Sequence, residues 1–80
     1  MASAVLPLLL WYRVAWLSDG LVIGEPLQAA GPEEALLLFM YRQGKSFVKS
    51  GYVTPLDEAP ARMLRYRNVS CHLCCVQEVR

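Results

Sequence analysis

Three cysteines and the single histidine of the chain, Cys71, His72, Cys74 and Cys75, fall within five consecutive positions. Thiolates and imidazole are the ligands zinc prefers, so this segment is the first place to look for chemistry. Its spacing argues against a metal site within one chain. Neighbouring residues of a strand point to opposite faces, which separates Cys71 from Cys74, and a structural zinc draws a second ligand pair from elsewhere in the sequence. A redox Cys-x-x-Cys pair needs a helix N-terminus to lower its thiol pKa, and no such start precedes these residues. The reading is therefore that the cysteines act as small buried hydrophobes, with Cys75, on the face of Leu73, the better core candidate and no cofactor or metal implied. An interchain disulfide or a metal shared across a dimer is the alternative. A helical 71–75 segment, which would put the three cysteines on one face, would strengthen it. Cys71 and His72, as strand neighbours, point apart and cannot form a nucleophile and base, and no Ser, Asp or Glu completes a triad pattern. The expectation is a protein that is not an enzyme.

The second concentration of chemistry is electrostatic. Six of the eight basic residues, Arg42, Lys45, Lys49, Arg62, Arg65 and Arg67, lie between positions 42 and 67, with Tyr52 and Tyr66 among them and Asp57 and Glu58 opposing. Arginine beside aromatic rings suits a protein interface and also suits nucleic-acid backbones or single-stranded bases. The expected partner-binding residues are Arg62, Arg65, Tyr66 and Arg67, with Tyr41, Arg42, Lys45 and Lys49. Binding to a protein is favoured, a homodimer is open, and nucleic acid is the weaker alternative. Asn68-Val69-Ser70 matches a glycosylation acceptor, which matters only in a secreted chain.

These residues must be positioned by a small set of elements. Leu8 to Leu17 alternates, with Tyr12, Val14 and Trp16 on one side and Trp11, Arg13 and Ala15 on the other, and reads as a strand. Ser18-Asp19-Gly20 reads as a turn, with Gly20 able to take a positive φ. A second strand from Leu21 to about Leu27 is expected to kink near Gly24 and Pro26, as edge strands do. Gly31, then Pro32, Glu33 and Glu34, then Gly44 bracket a helix from Pro32 to Gln43. Between its ends Ala35-Leu36-Leu37-Leu38-Phe39-Met40-Tyr41 is apolar on every side, so the helix wants cover from the sheet and from something else. Residues 45–57 read as a variable loop or short hairpin. Asp57 as N-cap, with Pro60 in the first turn, suggests a second short helix from Glu58 to Arg67. Val69 to Val79 reads as a last strand.

The chain has 80 residues, enough for one domain and too few for two. Its apolar fraction is 55% and its charged fraction 19%, an apolar surplus that a domain this small cannot hide alone, so part of it is expected to be an interface. The net charge of +1 gives no overall field that would select nucleic acid or an anionic membrane. The apolar run Ala4 to Trp11 lacks a preceding Lys or Arg, and Arg13 breaks it before it could span a bilayer. The expected location is cytoplasmic, without a membrane span. Residues 1–7 are expected to be flexible.

Tyr12-Arg13-Val14-Ala15-Trp16, a turn, a second strand and Ala30-Gly31-Pro32-Glu33-Glu34-Ala35 together resemble the small strand-strand-helix-strand domains of phages and mobile elements. The resemblance covers residues 11–44. It implies a protein of the kind that includes anti-CRISPR inhibitors, which occupy a surface of a bacterial effector complex. The fold expected is α+β in two layers: a three- or four-stranded antiparallel sheet under one main helix, with a second short helix. Its function is expected to be that of a protein-binding module, a phage-type inhibitor in its most concrete form. A small structural subunit of a larger, membrane-associated assembly is the alternative.

Overall fold

In the computed structural model, residues 8–17 and 20–72 are described. The elements run β1 (Leu10–Leu17), β2 (Leu21–Ile23), β3 (Leu27–Ala29), α1 (Pro32–Arg42), β4 (Phe47–Pro55) and β5 (Leu64–Ser70). All strand pairs are antiparallel, and the sheet runs β2-β1-β4-β5, with β3 beside β2 on the outer edge of β1. Among the described residues, one helix lies across one face of five strands.

The strand Leu8 to Leu17 forms from Leu10 onward, and its alternation holds: Tyr12, Val14 and Trp16 are buried while Trp11, Arg13 and Leu17 are exposed. The second strand breaks where Gly24 and Pro26 stand, leaving β2 and β3 as separate pieces on the edge of β1. Between the pairs Ala15↔Ile23 and Tyr12↔Leu27 the register advances by one residue, a bulge. The extra residue brings Leu27 and Ala29 back to the buried side, and Pro26 falls where no ladder donor is needed. Gly20 takes a φ of +119°, as a tight turn requires.

Helix α1 starts with Gly31 extended at the N-cap, Pro32 next, and Glu33 and Glu34 in the first turn. Gln43 is the C-cap rather than the last helical residue. Gly44, at φ +68°, donates its N–H to the Tyr41 carbonyl at 3.1 Å, and the Lys45 N–H reaches the Met40 carbonyl at 2.8 Å, the paired bonds of a Schellman ending. Ala35, Leu36, Phe39 and Met40 are buried against the sheet; Leu37 and Leu38 are half-buried and Tyr41 is exposed. The core joins these to Tyr12, Val14, Trp16, Leu27, Ala29, Val48, Val53 and Cys71. Trp16 and Phe39 lie 4.9 Å apart between ring centroids, tilted by 45°.

Four expectations are corrected. Among the described residues the sheet has five strands, not three or four, because the bulge divides one expected strand and because Lys45 to Val53 is neither loop nor hairpin. Phe47–Pro55 is a central strand paired on both sides. The second helix is absent: residues 56–63 are neither helix nor strand, and Leu64 to Ser70 pairs with β4. Tertiary pairing outweighs the local capping signal here, since β4 offers an open edge to a segment that alternates as well as it would coil. Asp57 does cap a backbone N–H, but that of Trp11 in β1, at 2.9 Å to Oδ2. Finally, the last strand begins at Leu64 rather than Val69; its expected continuation, Leu73 to Val79, and the N-terminal residues 1–7 lie outside the described residues.

Between Val48 and Gly51 in β4, and between Tyr66 and Val69 in β5, inward-facing residues are three apart rather than two. Both strands change side together at the step between Lys49 and Asn68, and pairing resumes in the same register. Asn68 achieves this with a φ of 54°, the left-handed region that Asn tolerates and a β-branched residue does not. Asn68→Val should therefore cost about 1–2 kcal/mol, or roughly 5–15 °C in Tm, while Asn68→Gly leaves stability unchanged or raised. Thermal unfolding followed by circular dichroism measures both, and equal effects of the two would show that the left-handed backbone is not what Asn68 supplies.

Candidate functional site

No cavity forms among the described residues, so the candidate site is a surface. The helix covers one face of the sheet. On the other face, among the described residues, β1 presents Trp11, Arg13, Ala15 and Leu17, the positions alternating with its buried side. Ala15 pairs with Ile23 on one side and Tyr52 on the other, and Tyr52 pairs with Arg65, so these four lie in one row across the sheet. Leu17 pairs with Leu21, Ser50 with Arg67, and Arg13 with Thr54. Leu17, Leu21 and Ile23 are 63%, 64% and 59% exposed, an aliphatic cluster turned to solvent at the β1–β2 side.

The other half of this face is basic. The Arg65 guanidinium stands 6.0 Å from the Tyr52 ring centroid and donates from Nη2 to Ser50 Oγ at 3.4 Å. Among the described residues the strands carry four basic side chains, Arg13, Lys49, Arg65 and Arg67, and no acidic one. The described carboxylates, Glu25, Glu33, Glu34, Asp57 and Glu58, all sit in loops or in the first helical turn.

The expected binding residues do not form one patch. Arg65 and Arg67 belong to the open face, and Arg62 is exposed in the loop that leads to them. Tyr66 points the other way, half-buried against the core beside the helix. Burial, then Glu33 and Tyr12, push its phenol pKa up from the ordinary value. Tyr41 and Arg42 are exposed near the C-terminal end of α1, and Lys45 follows the helix. Lys49 is exposed on β4 at the step where the strands change side. Leu17, Leu21 and Ile23 were not among the expected site residues. The available signal was that Leu21 and Ile23 share a parity opposite to Val22 in a strand already read as an edge.

Cys71 is fully buried, with its N–H on the Ser46 carbonyl at 2.8 Å and its thiol 3.8 Å from the Leu37 carbonyl oxygen. This is the core role expected of the cysteines, taken by Cys71, while Cys74 and Cys75 lie outside the described residues. No helix among the described residues is long and apolar enough to cross a membrane.

No protein-family model, curated protein or solved structure matches this chain.

Proposed function

We propose that this protein is a non-enzymatic binding module that docks on a protein partner through the uncovered face of its sheet. The observation that carries the reading is the solvent-facing cluster Leu17, Leu21 and Ile23, set beside Tyr52, Arg65 and Arg67 on the same face. Aliphatic residues exposed together at this level mark interaction surfaces, and Arg with Tyr is the composition of interface hot spots. The more specific form, an inhibitor of phage or mobile-element origin that occupies a host complex, rests on the strand-strand-helix-strand resemblance alone.

The test is site-specific crosslinking in the cells that make the protein. A photoreactive residue at Leu21 should capture a partner that the same residue at Glu34, on the helix, does not. The double variant Leu21→Ser/Ile23→Ser, checked for native circular dichroism, should weaken that partner's binding at least tenfold. Capture from position 34 alone, or unchanged binding by the double variant, would move the site to the helix side. A structural subunit of a larger assembly is the second reading, supported by Leu8 and Leu9, which are also exposed. An isolated chain that stays monomeric and soluble at high concentration counts against it.

A further inference from the structure

We infer that the partner element seated on the open face is an acidic amphipathic helix. The inference rests on the docking reading above and adds the chemistry of what docks. Three observations carry it.

The first is charge. Arg13, Arg65 and Arg67 occupy outward positions, and none of the described strands contains an Asp or Glu to balance them. A complementary partner brings carboxylates, and a basic one meets like charge.

The second is segregation across the strands. Leu17, Leu21 and Ile23 lie on β1 and β2, the Arg65 and Arg67 pair lies on β5, and Ala15 and Tyr52 lie between them. Adjacent strands are about 4.8 Å apart, so β2 and β5 are separated by roughly 14 Å. A helix with its side chains is about 10–12 Å across. Lying along β1 and β4, a single helix would set its apolar stripe on the leucines and Ile23 and one flank on the arginines. Its length follows from the strand beneath it. The eight residues of β1 extend for roughly 26 Å, which about 17 helical residues match.

The third observation separates protein from nucleic acid. Both use arginine, but phosphates and sugars gain nothing from three exposed aliphatic side chains, and the Tyr52 ring that could stack a base already carries Arg65 over it. A second copy of this chain would bring, among its described strand residues, no carboxylate to meet the arginines.

The experiment uses the full chain and fluorescence anisotropy of a labelled 18-residue helical peptide with a leucine stripe at i, i+3, i+4 and i+7 and glutamate flanks. Controls are the same peptide with every glutamate replaced by lysine and an 18-nucleotide oligothymidine. The acidic peptide should bind at least tenfold more tightly than the basic one, and Arg65→Glu/Arg67→Glu should reverse that preference. Leu21→Ser/Ile23→Ser should weaken it without reversing it. Equal binding of the two peptides, lost in Leu21→Ser/Ile23→Ser, overturns the acidic helix and leaves the docking face standing. Tighter binding of the oligonucleotide replaces it with single-stranded nucleic acid. Binding of no probe, with a dimer in sedimentation that Leu21→Ser/Ile23→Ser dissociates, assigns the face to a second copy and overturns the inference. Binding of no probe by a monomer overturns both the inference and the docking face on which it rests.

Discussion

Leu36→Ala should lower stability by about 2–5 kcal/mol, the range for emptying a buried leucine site. Leu36 has no solvent exposure, and its Cδ1 would come within 2.9 Å of a Cβ placed on Gly51. It thus sits where the helix approaches the central strand most closely, over the residue that pairs Trp16 of β1 with Tyr66 of β5. Strand backbone cannot collapse into the space left without breaking ladder pairs on both sides, so most of the cavity persists. A core in a chain of this size supplies about 3–5 kcal/mol in all. The variant is accordingly expected to be largely unfolded at 37 °C, with Tm lowered by roughly 10–30 °C. Leu38→Ala, at a half-buried position of the same helix, is the control and should cost far less. Urea unfolding monitored by circular dichroism compares the two. A midpoint for Leu36→Ala close to that of Leu38→Ala would mean that the helix is not seated as described.

Gly24→Ala is the second large effect, and its sign is the informative part. At an unremarkable loop glycine this change stabilises by about 0.4–1 kcal/mol through the unfolded chain. Here a Cβ would lie 2.5 Å from Cε1 and Cζ of Phe39. That ring is held against Trp16, and the Gly24 N–H is tied to the Val14 carbonyl at 2.8 Å, so neither side gives way easily. A loss of about 1–3 kcal/mol is expected. Phe39→Leu removes the end of the ring, and on that background the cost of Gly24→Ala should shrink by about 0.5 kcal/mol or more. Strict additivity of the two changes would refute the contact.

Much of this architecture was legible in the sequence, for reasons that differ from element to element. β1 could be read because its two sides differ in kind, Tyr12, Val14 and Trp16 against Trp11, Arg13 and Ala15. The helix could be read because Gly31-Pro32-Glu33-Glu34 and Gly44 are local devices that work wherever the helix packs. β4 was not legible because Gly51 looks like a turn residue. Its role is to let Leu36 close on the sheet, a requirement set by a helical residue fifteen positions earlier. β5 was hidden for a related reason: Asn68 shifts its alternation by one step, so a period of two cannot be followed through it. Asp57 and Pro60 meanwhile offered a helix start that the open edge of β4 overrode. The candidate site was half legible. Arginine clustering pointed to Arg65 and Arg67, but which side of a strand each neighbour takes depends on the same alternation, and Tyr66 went to the opposite side from its flanking arginines. The aliphatic half escaped notice because exposure of Leu21 and Ile23 follows from having no layer above them, a property of the assembled sheet.

Among the described residues β5 forms the outer edge of the sheet, a row of backbone donors and acceptors of the sort on which chains stack into fibres. Another copy arriving antiparallel and centred on Tyr66 would set Arg65 directly against Arg67 on both sides of the centre, two like-charge oppositions in a span of three residues. The left-handed backbone at Asn68 breaks the alternation of the edge, so a regular strand approaching it would meet side chains out of phase with its own. The guanidiniums proposed to draw in a carboxylate-bearing partner would, in the same stretch, oppose edge-to-edge pairing of the chain with its own kind.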